Sequence, residues 1–163
     1  RTRNLKLLLG LAPTIGREKI EGLITPTKLP VTIVENLTYD VMKHSDLLLI
    51  ASGSATLECA ILGTPFLVLY RTSFWTYLVA KSLINIPNIA LANVLAGKKI
   101  VPEFIQNQAV PRKIADEMYE ILNDKNRYNA IRSELGKVRE KLGQEGASVK
   151  AAQIVVQMIS DKG

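Results

Sequence analysis

Four short apolar runs, joined by segments of helical length, constrain this 163-residue chain more than any other feature it has. Leu5 to Ala12 and the β-branched run Val31 to Val34 read as strands, and Asp46 to Ala51 and Pro65 to Tyr70 repeat the pattern. Arg17 to Leu23, Thr38 to His44 and Thr56 to Leu62 read as the intervening helices. Continuous apolar strands alternating with helices imply a parallel sheet covered on both faces, a doubly wound α/β layer. Ligands of such sheets sit beyond the carboxyl ends of the strands. That rule puts Pro13 to Gly16, Glu35 to Thr38, Ser52 to Ser54 and Arg71 to Ser73 on the binding edge, and Gly10, Gly22 and Gly63 elsewhere.

The segment Ser52-Gly53-Ser54-Ala55-Thr56-Leu57-Glu58 occupies that edge, between the strand ending at Ala51 and a helix ending at Gly63. The first N–H groups of a helix lack internal partners and carry the positive end of its dipole, so they can hold a phosphate. Gly53 allows the backbone to approach a ligand closely. Glu58 would repel a phosphate on the helix axis, so a functional role requires it to point aside, where a diol such as ribose suits it. The plainer alternative is that Ser52 or Ser54 is an ordinary N-cap. Glu58 does not complete a capping box with either residue at its spacing of four from Ser54, since the box needs three.

Downstream, Phe74 to Ile84 has helical length with a heavy aromatic start, better suited to core packing than to a membrane. Pro87 to Gly97 reads as an irregular apolar segment, and Lys99 to Phe104 as β-like. Helices follow from Pro111, through Ile114, Met118, Ile121 and Leu122, and from Lys125 to Leu142, before Gly143 and Gly146 interrupt the pattern. A final helix, Ala147 to Ile159, carries an apolar stripe through Val149, Ala152, Val156 and Ile159 that needs a surface to cover.

Composition bounds the rest. The length suits one domain with a real core. One cysteine, Cys59, and one histidine, His44, exclude an internal disulfide and a zinc cluster, which suggests a cytoplasmic compartment. Arg71, Lys81 and several prolines interrupt the hydrophobic stretches, so no segment reads as a bilayer span, and Arg1 to Asn4 begin no targeting pattern. A net charge of +6 favours anionic partners without choosing among them. The basic residues lack the aromatic interleaving of a single-strand nucleic-acid groove.

Taken together, several residues resemble the lipid-A-disaccharide synthases, two-domain sugar-nucleotide glycosyltransferases of the GT-B type. They are Ala51 to Glu58, Gly63, Pro65, Tyr70, Ser73, Thr76-Tyr77, Ala80-Lys81, Asn93, Leu95-Ala96-Gly97, Ile100 to Glu103, and Gln106. Ser54 stands where that family usually has threonine, and Ala92 where a proline commonly precedes the asparagine. The resemblance implies that this chain is most of a C-terminal, Rossmann-like donor-binding domain. Residues 1–143 would form the UDP-sugar-binding unit without its first strand, and residues 144–163 a helix that packs on the missing N-terminal half or on the sheet.

The implied reaction transfers 2,3-diacylglucosamine from its UDP conjugate to 2,3-diacylglucosamine 1-phosphate by one inverting displacement. Ser52, Gly53, Ser54, Ala55 and Thr56 would hold the diphosphate, Glu58 the ribose hydroxyls, and Asn93 the donor sugar or phosphate; Glu103 and Gln106 match the family pattern and serve either the donor or the structure. No cofactor or metal is implied, and the general base would belong to the missing half, so no residue of this chain is assigned to catalysis. His44 at a helix end and Cys59 on an apolar helix read as structural. The acylated substrates imply work at the inner membrane, with the basic charge and Phe74, Trp75 and Tyr77 suited to peripheral docking on anionic lipid. The alternatives are another UDP-sugar transferase or epimerase domain, and a non-catalytic polyanion-binding module.

Overall fold

A computed structural model of the chain describes residues 5–73, 88–143 and 147–160. The elements run β1 (Leu7–Leu11), α1 (Arg17–Ile24), a 3-10 turn (Thr25–Thr27), β2 (Val31–Glu35), α2 (Thr38–His44), β3 (Leu48–Ala51), α3 (Ala55–Leu62) and β4 (Phe66–Tyr70). After residues 74–87 come α4 (Leu91–Ala96), β5 (Glu103–Ile105), a second 3-10 turn (Gln106–Gln108), α5 (Pro111–Asn123), α6 (Lys125–Leu142) and α7 (Ala147–Ser160). The helix expected over Phe74 to Ile84 lies outside the described residues.

Among the described residues every strand pairing is parallel, as the α/β alternation requires, and the fold is a Rossmann-like α/β layer. Among the described residues the strands form two sheets, β1-β2 and β3-β4-β5. Leu7 is opposite Val31, Leu48 opposite Phe66, and Val68 opposite Glu103. Helix α2 links the sheets, packing on β1 and against α3.

The core is centred on β4, the middle strand of the larger sheet. Phe66, Leu67 and Val68 are fully buried there, as are Ile121 of α5 and Leu135 of α6. Each of these side chains contributes about 1.5–3 kcal/mol by leaving water. Helix α6 packs against α3, α4 and α5, and the Tyr128 hydroxyl donates to the Asp46 carbonyl at 3.0 Å, fastening that helix below the start of β3. Two-sided coverage was expected of all the strands, but Leu7 and Leu8 of β1 and Leu49 of β3 are exposed. Among the described residues β1 and β3 are not paired with each other, and the strands divide into a two-stranded and a three-stranded sheet instead of one continuous layer.

Two further local expectations are corrected. The segment read as irregular contains α4, which begins after Ala90 and stops at Gly97, whose φ of 70° suits a glycine C-cap. Of the stretch Lys99 to Phe104 read as β-like, only Glu103 and Phe104 are paired in a strand, which runs on to Ile105. Before it, the N–H groups of Ile100 and Val101 bond to the Asn93 side chain instead of a ladder, and Pro102 has no N–H to offer.

Candidate functional site

Strand β3 ends where Ser52 N–H donates to the Leu69 carbonyl at 3.0 Å, and the chain then turns into α3. Gly53 makes this turn with φ of 159°, a backbone that L side chains rarely adopt. The Gly53 carbonyl accepts from both the Thr56 N–H (3.2 Å) and the Thr56 hydroxyl (2.8 Å), and the Ser54 carbonyl accepts from Leu57 and Glu58. The N–H groups of Gly53, Ser54 and Ala55 find no acceptor among the described residues, and Gly53 and Ser54 are exposed. Among the described residues, three successive donors without a partner therefore stand at the positive end of α3.

The plain N-cap alternative does not describe this turn. Ser54 occupies the N-cap position of α3 in αR conformation, and its side chain makes no capping bond. The Ser52 hydroxyl reaches away from the helix and donates to the Ile89 carbonyl at 3.2 Å. Thr56 is wholly buried and braces the turn from inside. Of the residues expected at the diphosphate, Gly53, Ser54 and Ala55 have amides without an acceptor among the described residues, while Ser52 and Thr56 shape the loop.

Glu58 is half-buried in the first turn of α3 and near α2, where its negative charge raises the Tyr39 phenol above its ordinary value. Tyr39 lies one residue into α2, just past the carboxyl end of β2. The carboxylate thus stands beside the helix axis, with an exposed phenol as neighbour. Sequence reasoning did not single out Tyr39; the available signal was its place next to the Glu35 to Thr38 edge segment.

Asn93, Glu103 and Gln106 are turned inward. Asn93 is fully buried; its Nδ2 donates to the Val101 carbonyl (2.9 Å) and Glu103 Oε1 (2.8 Å), and its Oδ1 accepts from Ile100 and Val101 (2.8 and 3.0 Å). Glu103, also buried, accepts from the N–H groups of Ile89 and Ala90. Gln106 grips Thr72 with two 3.0 Å bonds, one to its N–H and one to its carbonyl, while holding a left-handed φ of 48°. A non-glycine residue stays there only when its surroundings fix it. All three side chains hold the loops around the ends of β4 and β5.

Neither of two shallow concavities elsewhere borders this turn. One, of about 410 Å³, is lined by residues such as Arg17, Glu21 and Thr32; the other, of about 400 Å³, by residues such as Lys98, Arg127 and Glu134. His44 Nδ1 contacts the Asp40 carbonyl of its own helix at 2.9 Å. Cys59 is fully buried, and burial followed by the Glu58 charge pushes its thiol up to about 12. Among the described residues no cluster of three His, Cys, Asp or Glu could hold a metal ion.

The sequence model described as "Lipid-A-disaccharide synthetase" matches residues 1–158. The lipid-A-disaccharide synthase of Syntrophotalea carbinolica is 37% identical over 153 residues, covering 94% of this chain and 39% of that protein. That of Syntrophus aciditrophicus is 38% identical over 156 residues, covering 95% and 41%. That of a Sulfurihydrogenibium species is 39% identical over 139 residues, covering 78% and 36%. The chain thus spans about two fifths of the length of these curated relatives. With the family model matching nearly its whole length, the chain belongs to the lipid-A-disaccharide synthetase family.

Proposed function

We propose that this chain is the donor-binding part of an inverting glycosyltransferase of lipid A biosynthesis, which moves 2,3-diacylglucosamine from its UDP conjugate to 2,3-diacylglucosamine 1-phosphate. The observation that carries the reading is the run of three amides, Gly53, Ser54 and Ala55, without a partner among the described residues, with Glu58 in the first turn of the helix they open. Negative charge builds on the departing UDP during transfer, and donors already fixed in place stabilise it without reorganising. Glu58 accepts from the ribose hydroxyls, with Tyr39 as its neighbour. Asn93, Glu103 and Gln106 support the surrounding loops. The general base belongs to the part of the enzyme outside this chain.

The division of the sheet supports the domain assignment. A dinucleotide-type doubly wound sheet has strand order 3-2-1-4-5-6. The order here, β2-β1 and then β3-β4-β5, is that series with position 1 open. Residues 1–143 then form the nucleotide-binding unit lacking its first strand. Ile154, Val155, Met158 and Ile159 of α7 are exposed apolar side chains for the missing half to cover.

The test is thermal unfolding of the chain with nucleotides added. UDP raises the melting temperature more than CMP or ATP does, and Glu58→Ala abolishes the preference. A chain indifferent to UDP, both alone and with the missing strand restored, refutes the assignment. No described helix is long and apolar enough to cross a membrane. Peripheral contact with the inner membrane is the corresponding proposal; Phe74, Trp75 and Tyr77 lie outside the described residues. Equal sedimentation with and without anionic liposomes refutes it.

A further inference from the structure

We propose that Glu103 is a positioning residue that holds the 52–55 turn in its anion-binding shape, acting through the peptide between Ile89 and Ala90. The proposal rests on the reading of that turn as the nucleotide cradle. Glu103 opens β5 with 6% of its surface exposed and has no ion-pair partner among the described residues. Its oxygens act only as acceptors: Oε1 takes Ala90 N–H and Asn93 Nδ2 at 2.8 Å, and the Ile89 N–H is shared by both oxygens at 3.1 Å. Burying a carboxylate is costly without such bonds, and an apolar residue would fill the space more cheaply. What the carboxylate adds is direction.

The mechanism follows from peptide planarity. Ala90 N–H and Ile89 C=O belong to one trans peptide and point in opposite directions. Drawing the N–H onto Glu103 turns the carbonyl the other way, where it accepts the Ser52 hydroxyl at 3.2 Å. That bond joins positions 37 residues apart in sequence and anchors the turn immediately before the three open amides. Asn93 steadies the carboxylate from the other side while holding Ile100 and Val101. The path therefore runs from the start of β5, through one peptide plane, to the end of β3.

The experiment uses the 163-residue chain labelled with ¹⁵N, with UDP as the probe. Glu103→Gln keeps the shape but turns an N–H₂ toward other donors. The Gly53, Ser54 and Ala55 amide signals then move in the free chain, and UDP affinity falls about tenfold, the scale of one lost charge-assisted bond. Ser52→Ala costs a similar factor. Because both act through one path, the double variant loses little beyond either alone. Unmoved turn signals under Glu103→Gln, or losses that multiply, overturn the proposal.

Should Glu103→Gln fail to fold, Ser52→Ala tests the same path in reverse. It moves the Ile89 and Ala90 amides in the free chain, and unmoved signals overturn the proposal. A merely structural Glu103 lowers the melting temperature and leaves UDP affinity of the folded protein unchanged. Failure of the unmodified chain to bind UDP removes the nucleotide reading, while the ligand-free shifts still decide the fate of the Glu103 path.

Discussion

Replacing Asn93 with alanine distinguishes a bracing side chain from a ligand contact. Asn93 makes four short bonds in a fully buried setting, so Asn93→Ala strips the acceptor from two N–H groups, Ile100 and Val101, and a donor from Val101 O and Glu103 Oε1. Each buried N–H left unpaired costs about 1–3 kcal/mol, giving about 2–6 kcal/mol for the pair. A water entering the vacated polar space lowers that, toward about 3 kcal/mol. Urea unfolding read by circular dichroism measures the difference. A loss under about 1 kcal/mol with an unchanged slope refutes the network and leaves Asn93 free to meet a ligand.

Asn93→Asp sharpens the result. One new oxygen still serves Ile100 and Val101, but the other meets Glu103 and the Val101 carbonyl with no proton between them. At neutral pH this variant is less stable than Asn93→Ala. The repulsion makes the carboxyl introduced by Asn93→Asp easier to protonate in the folded than in the unfolded chain. The deficit is therefore smallest below the ordinary carboxyl range, about pH 4, and grows as pH rises through the raised value. A deficit that does not change with pH contradicts the placement of the two side chains.

Cys59, fully buried with its thiol pushed up to about 12, resists maleimide in the folded chain at pH 8 and reacts at once in denaturant; rapid native labelling contradicts its burial. Glu134 accepts hydrogen bonds from Lys137 and Lys98 that hold its carboxyl at about 2, below the ordinary 4.5. Its contribution is present above the ordinary value and fades as pH falls toward about 2, so acid titration of stability is shallower in Glu134→Gln. Matching profiles in the two proteins refute the pairing. Asp124 accepts from the N–H groups of Asn126 and Arg127 at the start of α6, and Asp124→Ala lowers unfolding free energy by about 1 kcal/mol in the same urea assay.

What the sequence made legible was local. The strands β1 to β4 and helices α1 to α3 follow from apolar runs and spacing, and α5 and α6 from helical periodicity after Pro111 and Lys125. The turn after β3 was placed correctly because a polar glycine-containing break between a strand and a helix has few other conformations. Helix α4 went unread because six residues, Leu91 to Ala96, give too few turns for a period to stand out, although Gly97 marked its end.

The less legible part was the bonding between distant segments. Asn93, Glu103 and Gln106 were identified by resemblance, and resemblance alone does not tell a side chain that touches the donor from one that aims what does. Their partners are backbone groups of Ile89, Ala90, Ile100, Val101 and Thr72, and a backbone amide leaves no trace in residue type. A side chain whose hydrogen-bonding groups are already taken, as those of Asn93 are, takes a ligand only by first releasing protein groups. The same reasoning sends the search for donor contacts back to Gly53, Ser54, Ala55, Glu58 and Tyr39, where polar groups remain exposed on the edge that two strands reach from different sheets. On the proposed domain assignment, restoring the first strand tightens UDP binding by this chain, because the turn then borders a filled sheet position; unchanged affinity on restoration refutes the placement of position 1 beside the turn.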